Sequence, residues 1–381
     1  MRAIPMVAEH RAWASINLSS LKANLSVARS AAPHSSVVAV IKADAYGHGM
    51  IPAAHALSPE LKQDDCFGVA TIEEALTLRR AGIGKSILLL EGCLSEQELA
   101  LALEHQLHCV IHSLYQLEML VQYFQANPDT APLKVWLKAD TGMHRLGLNK
   151  VEFAQCWNEL KDRQYVTELV FMTHLACADD VASAMTDGQV ALLKTFIADL
   201  DAPSQSVRLS IAASGGILNW PDTHFDFVRP GIMLYGGSSK IGEYGQSKGL
   251  RPVMTLKARL IAIKSVAAGE SVGYGATYTC QRDSCVGIVS IGYGDGYPRH
   301  APSGTPVLLK TASGSTRVST VGRVSMDMIA IDLSDCEGAR IGDEVTLWGE
   351  GLPADEIAAL CGTISYELFC QVTARVHFIY S

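Results

Sequence analysis

Charged residues are scarce in this chain, 18% of 381, and basic ones are the minority, with 31 Lys and Arg against 39 Asp and Glu. A net charge of −8 offers no basic surface for a nucleic acid. No apolar run approaches the roughly 20 residues that span a bilayer. Met1 to His10 contains no long hydrophobic block, so neither a membrane span nor a secretory signal is expected. The ten cysteines include no CxxC pair. The nearest approach, Cys280 and Cys285, has no second pair at zinc-ligand spacing. His105, His108 and His112 lie close together without an acidic partner at metal-site spacing, so no metal is expected. These absences point to a cytoplasmic protein with reduced, buried thiols. What the chain does have is core material: 48% hydrophobic residues, enough at this length for two domains.

From about residue 35 to 235, short β-rich runs alternate with stretches of helical period. The expected strands are VVAVIKA (37–43), CFGVAT (66–71), SILLLEG (86–92), HCVIHS (108–113), LKVWLKAD (133–140), ELVFMTH (168–174), VRLSIAA (207–213) and FDFVRPG (225–231). Between them lie helical patterns such as Thr71–Arg80, stopped by Gly82, and one opened by a capping-box pair, Ser95 and Glu98. Roughly eight strand–helix cycles in about 200 residues is the arithmetic of an α/β (β/α)8 barrel of the TIM type. A doubly wound open sheet is the competitor, but no GxGxxG follows the first strand. Past about residue 240 the pattern has period two, broken by Gly, Pro and Ser turns, and predicts a mainly antiparallel β-strand domain. The expected division is 12–238 for the barrel and 239–381 for the β domain. The early strand AWASINL (12–18) has the option of pairing with the latter.

In such a barrel, side chains at the C-terminal strand ends converge on one mouth. Those ends carry Lys42, Lys138, His174, Ser214 and Arg229. Singly, each has an ordinary explanation: a snorkelling lysine, a hydrogen-bonded core histidine, half of an ion pair. Five together on one mouth do not. A lysine ending a buried run loses hydration, which frees its amine to form an imine. Ser214-Gly215-Gly216 offers a hydroxyl and backbone N–H groups to a phosphate, and Arg229-Pro230-Gly231-Ile232 adds a fixed charge beside a close-approach glycine. Imine-forming lysine plus phosphate nest is what pyridoxal 5'-phosphate requires.

The stretch AVIKADAYGHG resembles the cofactor-lysine motif of bacterial alanine racemases. LKADTGMHRLG (137–147), THLACAD (173–179), VRPGIMLYG (228–236), VGYGATY (272–278), SIGYGDGYPR (290–299), GRVSMDM (322–328) and TISYE (363–367) are similar to the family's remaining motifs, in order and across both domains. The resemblance implies a barrel followed by a β domain, a head-to-tail homodimer with shared active sites, and interconversion of L-alanine and D-alanine. That reaction would supply D-alanine for peptidoglycan or serve alanine catabolism.

Carried onto this chain, the resemblance implies that Lys42 holds pyridoxal phosphate as an imine and acts as one base. Tyr274 from the other subunit is the second base, in a two-base proton transfer on the cofactor-bound amino acid. His174 would stack near the ring, and Arg229 would meet the pyridine nitrogen. Arg145 would approach the phenolic oxygen and the substrate carboxylate. Tyr46, Ser214, Gly231, Ile232 and Tyr366 would hold the phosphate, and the Met326 backbone would touch substrate. Tyr293, Arg299, Arg323, Asp327 and Ile364 would line the entrance, and Lys138 matches a lysine that is often carbamylated. One departure is clear: Ala213-Ser214-Gly215-Gly216 stands where many members have Asn-Ser-Ala-Ala. Rival functions are a broad-specificity racemase, a barrel-type decarboxylase, for which an acid rather than Arg229 is expected at the ring nitrogen, and a non-catalytic cofactor-binding protein lacking the β domain.

Overall fold

The computed structural model describes residues 10–200, 207–240 and 242–381, so the N-terminal expectation on Met1–Glu9 lies outside them. In chain order the first strands are β1 (Ala12–Ile16), β2 (Ser36–Val40), β3 (Cys66–Val69), β4 (Ser86–Leu89), β5 (His108–Ile111), β6 (Leu133–Lys138), β7 (Val166–Met172), β8 (Arg208–Ala213) and β9 (Phe227–Arg229). Strands β2 to β9 close into a parallel barrel, β9 pairing back onto β2 through Ser36 with Phe227 and Val37 with Val228. The continuous apolar runs reflect this arrangement, since parallel barrel strands are covered on both faces.

The barrel interior is packed rather than open. Val38, Cys66, Leu88, Val110, Trp136, Val170, Met172 and Phe227 form one buried cluster, with the Trp136 and Phe227 rings 4.8 Å apart. At the N-terminal end of the strands, the Arg208 guanidinium lies 4.0 Å and the Lys134 ammonium 5.0 Å from the Phe227 ring centroid. These stems cap the bottom, leaving the opposite mouth for chemistry.

The helix over Ile72–Arg80 has a complete capping box, Thr71 accepting from the Glu74 N–H while Glu74 accepts from Thr71. Gly82, at φ +81, ends it. The box expected at Ser95 is only half formed. Ser95 accepts the Glu98 N–H at 3.2 Å, but the Glu98 carboxylate takes the Leu94 N–H at 2.8 Å instead. The carboxylate thus caps the amide one position before Ser95.

The second set of strands is β10 (Met254–Val266), β11 (Ser271–Val272), β12 (Tyr278–Thr279), β13 (Ser284–Val289), β14 (Pro306–Thr311), β15 (Gly314–Val321), β16 (Ile329–Asp332), β17 (Glu344–Trp348) and β18 (His377–Tyr380). The sheet order is β13-β16-β15-β14-β17-β10-β1-β18, and β13 also pairs with β10. Six antiparallel strands therefore close into a ring. Strand β10 is long enough, at 13 residues, to pair with β17 by its first half and β13 by its second, with a register shift between Leu260 and Ala262. Strand β1 joins this sheet, antiparallel to β10 and parallel to β18. By contacts, residues 22–234 form one compact unit, and residues 10–21 with 235–381 form the other.

Candidate active site

Strand β2 stops at Val40, and the next segment is neither strand nor ordinary turn. Ala43, Asp44, Ala45 and Tyr46 all take φ between 51° and 55°, a short left-handed helical turn directly after Lys42. Left-handed geometry costs an L-residue about 1–2 kcal/mol, so four in succession must be held by their surroundings. Ala45 N–H bonds Ile41 O at 2.9 Å, and the Asp44 carboxylate accepts from Met50 N–H at 2.6 Å. The Glu74 carboxylate accepts from Ala43 N–H at 2.7 Å. Gly47 and Gly49, at φ 73° and 90°, return the chain to a right-handed helix at Met50–Leu57. His48 is buried, and burial pushes it down to about 4, so it is neutral at ordinary pH.

Beside this turn lie the other strand-end groups. Arg229 is 3% exposed and donates to Ser210 Oγ at 2.7 Å, Thr173 O at 2.7 Å and Ile211 O at 3.1 Å. Its Nη2 also meets His174 Nδ1 at 3.2 Å. A guanidinium has only donors, so Nδ1 accepts and the ring proton of His174 resides on Nε2. Burial, followed by the charges of Arg229, Lys138, Arg145 and Lys42, pushes His174 down to about 3, which keeps it neutral. Burial lowers Arg229 to about 10, still protonated at neutral pH.

Lys138 is 8% exposed, and burial together with the charges of Arg229, Arg145 and Lys42 lowers its ammonium to about 8; only Asp140 pulls the other way. Lys42, Arg145 and Arg229 thus all act on Lys138, with Asp140 the carboxylate that opposes them, itself engaged with Gly142 N–H, His144 N–H and His144 Nδ1. Arg145 is exposed on the loop that Asp140 shapes.

A buried cationic lysine has a measurable signature. Below about pH 8 its amine is protonated in both folded and unfolded chains, but between about 8 and 10.5 only the unfolded chain keeps the proton. The ligand-free protein should therefore gain stability from Lys138 across that window, a few kcal/mol in all. Denaturant melts at successive pH values should show a smaller alkaline gain in Lys138→Met; an identical slope in both proteins removes the assignment.

At the next strand ends, Ser214 Oγ accepts from Gly231 N–H at 3.0 Å and Met233 N–H at 3.3 Å. The short helix Ser214–Asn219 opens with no side-chain cap on its first N–H groups. Gly231 is a close approach, since a Cβ there would lie 2.6 Å from the Tyr46 hydroxyl. The departure at Gly215 has a structural counterpart: a Cβ on Gly215 would sit 3.1 Å from the Ala178 backbone, whose carbonyl is held by Trp220 Nε1 at 3.0 Å. Ile232 is fully buried behind this cradle. The barrel thus brings Lys42, Tyr46, Lys138, Arg145, His174, Ser214, Arg229, Gly231 and Ile232 to one end.

The remaining expected residues lie in the sheet unit. Tyr274 is 71% exposed, with Met326 at 52% and Ile364 at 44%. Tyr293 N–H bonds Ser325 O at 3.1 Å and Gly294 N–H bonds Met326 O at 2.9 Å, joining two of the loops. Arg323 packs across Gly275, and its guanidinium would lie 3.3 Å from a Cβ there, which brings in the Tyr274 loop. Arg375 links the buried Asp295 to Asp327, and Arg11 also pairs with Asp295. Thr373 N–H bonds Asp295 O at 3.1 Å, tying in the chain that leaves the helix Ser365–Gln371, which carries the half-buried Tyr366. Arg299 is an exposed loop residue two positions after Tyr297.

Several residues important to this geometry had no role assigned from the sequence: Glu74, Gln189, Arg375, and Asp295 although it lies inside SIGYGDGYPR. Gln189 alone bonds Ala176 N–H at 2.8 Å, His174 O at 3.0 Å and Thr141 Oγ1 at 3.2 Å. Glu74 carried a local signal, its place in Thr71-Ile72-Glu73-Glu74, but nothing local reveals its bond to Ala43.

A family model for the alanine racemase N-terminal domain matches residues 16–239, and one for the C-terminal domain matches 253–380. An alanine racemase of Halorhodospira halophila is 45% identical over 366 residues, 96% of each chain. One from Yersinia pestis bv. Antiqua is 46% identical over 370 residues, 97% of this chain and 98% of that one. The crystal structure of the biosynthetic alanine racemase of Pseudomonas aeruginosa superposes with a TM-score of 0.90 at 44% identity, covering 98% of this chain and 99% of that chain.

Proposed function

The chain belongs to the alanine racemase family of isomerases, and on that footing we propose that it interconverts L-alanine and D-alanine with pyridoxal 5'-phosphate held in the barrel mouth. The observation that carries the choice of cofactor is the positive charge gathered there: the buried Lys138 feels Arg229, Arg145 and Lys42, with Asp140 opposing them. Such a cluster calls for bound anions. A phosphate suits the cradle at Gly231, where a Cβ would crowd Tyr46 Oη at 2.6 Å, and the uncapped start of the Ser214–Asn219 helix.

The residues that would hold the cofactor are Lys42, Tyr46, Arg145, His174, Ser214, Arg229, Gly231, Ile232 and Tyr366. Bound there, pyridoxal phosphate supplies an electron-withdrawing ring that acidifies the α-hydrogen of an attached amino acid. Lys42 and Tyr274 are the groups that move a proton at the α-carbon, one on each face, because a single side chain does not reach both. Arg229 keeps a permanent charge beside the neutral His174, and Arg145 and the Met326 backbone bind the substrate carboxylate. Tyr293, Arg299, Arg323, Asp327 and Ile364 form the entrance.

We assign Tyr274 to the site of a second subunit in a head-to-tail homodimer. Support comes from the exposure of Tyr274, Met326 and Ile364, large side chains that the described residues of this chain leave open. Lys138, lowered to about 8, has a neutral fraction near neutral pH. Once the ammonium has lost one proton, its amine can add carbon dioxide and release a second proton to give a carbamate, so that one positive charge is exchanged for a negative one beside Arg145. Carbon-13 NMR under labelled carbon dioxide, compared with Lys138→Met, tests that step by the loss of one resonance. The likeness to a racemase described as biosynthetic favours supply of D-alanine for peptidoglycan, in the cytoplasm, over catabolism; rescue of a D-alanine auxotroph tests it.

The central experiment is spectroscopic. The purified protein should take up pyridoxal phosphate with a visible band, and borohydride should fix the group on the peptide bearing Lys42. Gly231→Ala should weaken uptake about tenfold by displacing Tyr46. A colourless protein that takes up no cofactor and leaves L-alanine optically unchanged sinks the proposal.

A further inference from the structure

Lys42 precedes four residues in the left-handed region, a conformation their own side chains do not favour. Most hydrogen bonds of this turn are local: Ala45 to Ile41, Gly49 to Asp44, His48 to Ala45, and the Asp44 carboxylate to Met50. Two bonds come from the β3 side of the fold at the residues flanking Lys42: the Ile41 N–H donates to Gly68 O at 2.9 Å, and the Ala43 N–H, at the first left-handed residue, goes to a side chain. Glu74 Oε1 accepts the Ala43 N–H at 2.7 Å, while Glu74 Oε2 accepts the N–H of Ala70 at 2.7 Å and that of Thr71 at 3.4 Å. A single carboxylate thus ties the chain leaving β2 to the chain leaving β3 and to the start of the helix Ile72–Arg80.

We propose that Glu74 is a positioning residue for Lys42: its carboxylate, clamped between Ala43 and Ala70, holds the left-handed turn that aims the lysine amine. This rests on the role given to Lys42 under the proposed function. A carboxylate suits the task, being an acceptor only, with two oxygens to serve two separate chains. The capping of its own helix is a second duty; Thr71→Ala removes the other half of that box, the Thr71 Oγ1 that accepts the Glu74 N–H, and so weakens the helix start while every bond of the Glu74 carboxylate, the one to Ala43 included, stays in place.

The contrast between loss of the helix cap and loss of the carboxylate is the test. Hydrogen exchange of the cofactor-free protein, read on peptides spanning residues 41–47, should quicken at least tenfold in Glu74→Ala and stay near wild type in Thr71→Ala. Titration of the cofactor-free proteins with pyridoxal phosphate, then borohydride and peptide mapping, should show Glu74→Ala binding about tenfold more weakly. Adding Ala43→Gly to Glu74→Ala should recover part of that loss, because glycine accepts a positive φ without penalty. If Glu74→Ala does not fold, Glu74→Gln serves the same comparison, since its amide offers one acceptor instead of two. Equal loss in Thr71→Ala and Glu74→Ala, or wild-type exchange and affinity in Glu74→Ala, overturns the assignment. Wild-type protein that fixes no cofactor on Lys42 defeats the proposed function and this inference with it, whereas an unchanged Glu74→Ala defeats this inference alone.

Discussion

Exchanging Tyr274 for phenylalanine should lower racemisation by about a hundredfold or more in both directions, the usual contribution of a positioned acid–base group. The change removes one hydroxyl from a side chain that is 71% exposed, so folding has little reason to suffer. Cofactor uptake and the visible band should survive, because the phenol is assigned to proton transfer and not to holding the group. The same residue tests the shared site. If Lys42 of one chain works with Tyr274 of its neighbour, a mixed dimer of Lys42→Ala and Tyr274→Phe chains contains one intact site and one lacking both groups. Activity should reappear on mixing two nearly inactive proteins. Mixed dimers verified by mass that stay inactive would place both groups in one chain's site, and undiminished turnover in Tyr274→Phe alone would end its role as a base.

Arg229→Ala should be the most destabilising single change at the barrel mouth. The guanidinium is 3% exposed and satisfies Ser210 Oγ, Thr173 O and Ile211 O, with His174 Nδ1 as a fourth partner. Truncation strands those acceptors where water does not replace the donor, a loss of about 3–5 kcal/mol. For a unit the size of the barrel that corresponds to a fall in Tm of about 10 °C. A second readout is electrostatic. Burial is the first cause of the low His174 value and Arg229 the second, so removing the charge should raise His174 from about 3 toward its ordinary range. Histidine NMR reads this directly. Arg229→Lys keeps a charge but not the planar fork, and should fall between the two. An unaltered Tm in Arg229→Ala would mean that the network contributes nothing to holding the mouth.

The strands of the barrel were legible because parallel, doubly covered strands must be apolar almost throughout, as Val37-Val38-Ala39-Val40 and Val135-Trp136-Leu137 are. The strand-end polar residues were legible for the same reason: an ammonium or guanidinium after such a run has no ordinary business there. The cap at Thr71 was written locally and forms, whereas the Ser95 box forms by half, since the Glu98 carboxylate meets the Leu94 amide first. The tyrosines of the second unit were visible as motifs, but not the ties among their loops, because Arg375 and Asp295 meet across 80 positions of chain, beyond any local pattern.

Periodicity and residue type by themselves determined the class of fold, the identity of the strand ends and the chemistry those side chains can do. Only the tertiary structure decided the path of the chain after Lys42. Ala43, Asp44, Ala45 and Tyr46 prefer right-handed geometry, and they are held otherwise by bonds that include one from a carboxylate 31 residues away. The same holds for the neutrality of His174, which comes from burial and the cations brought around it. Local sequence sets what each residue prefers; the fold sets which of those preferences is overruled, because desolvation and long-range hydrogen bonds outweigh a conformational bias of a kcal/mol or so.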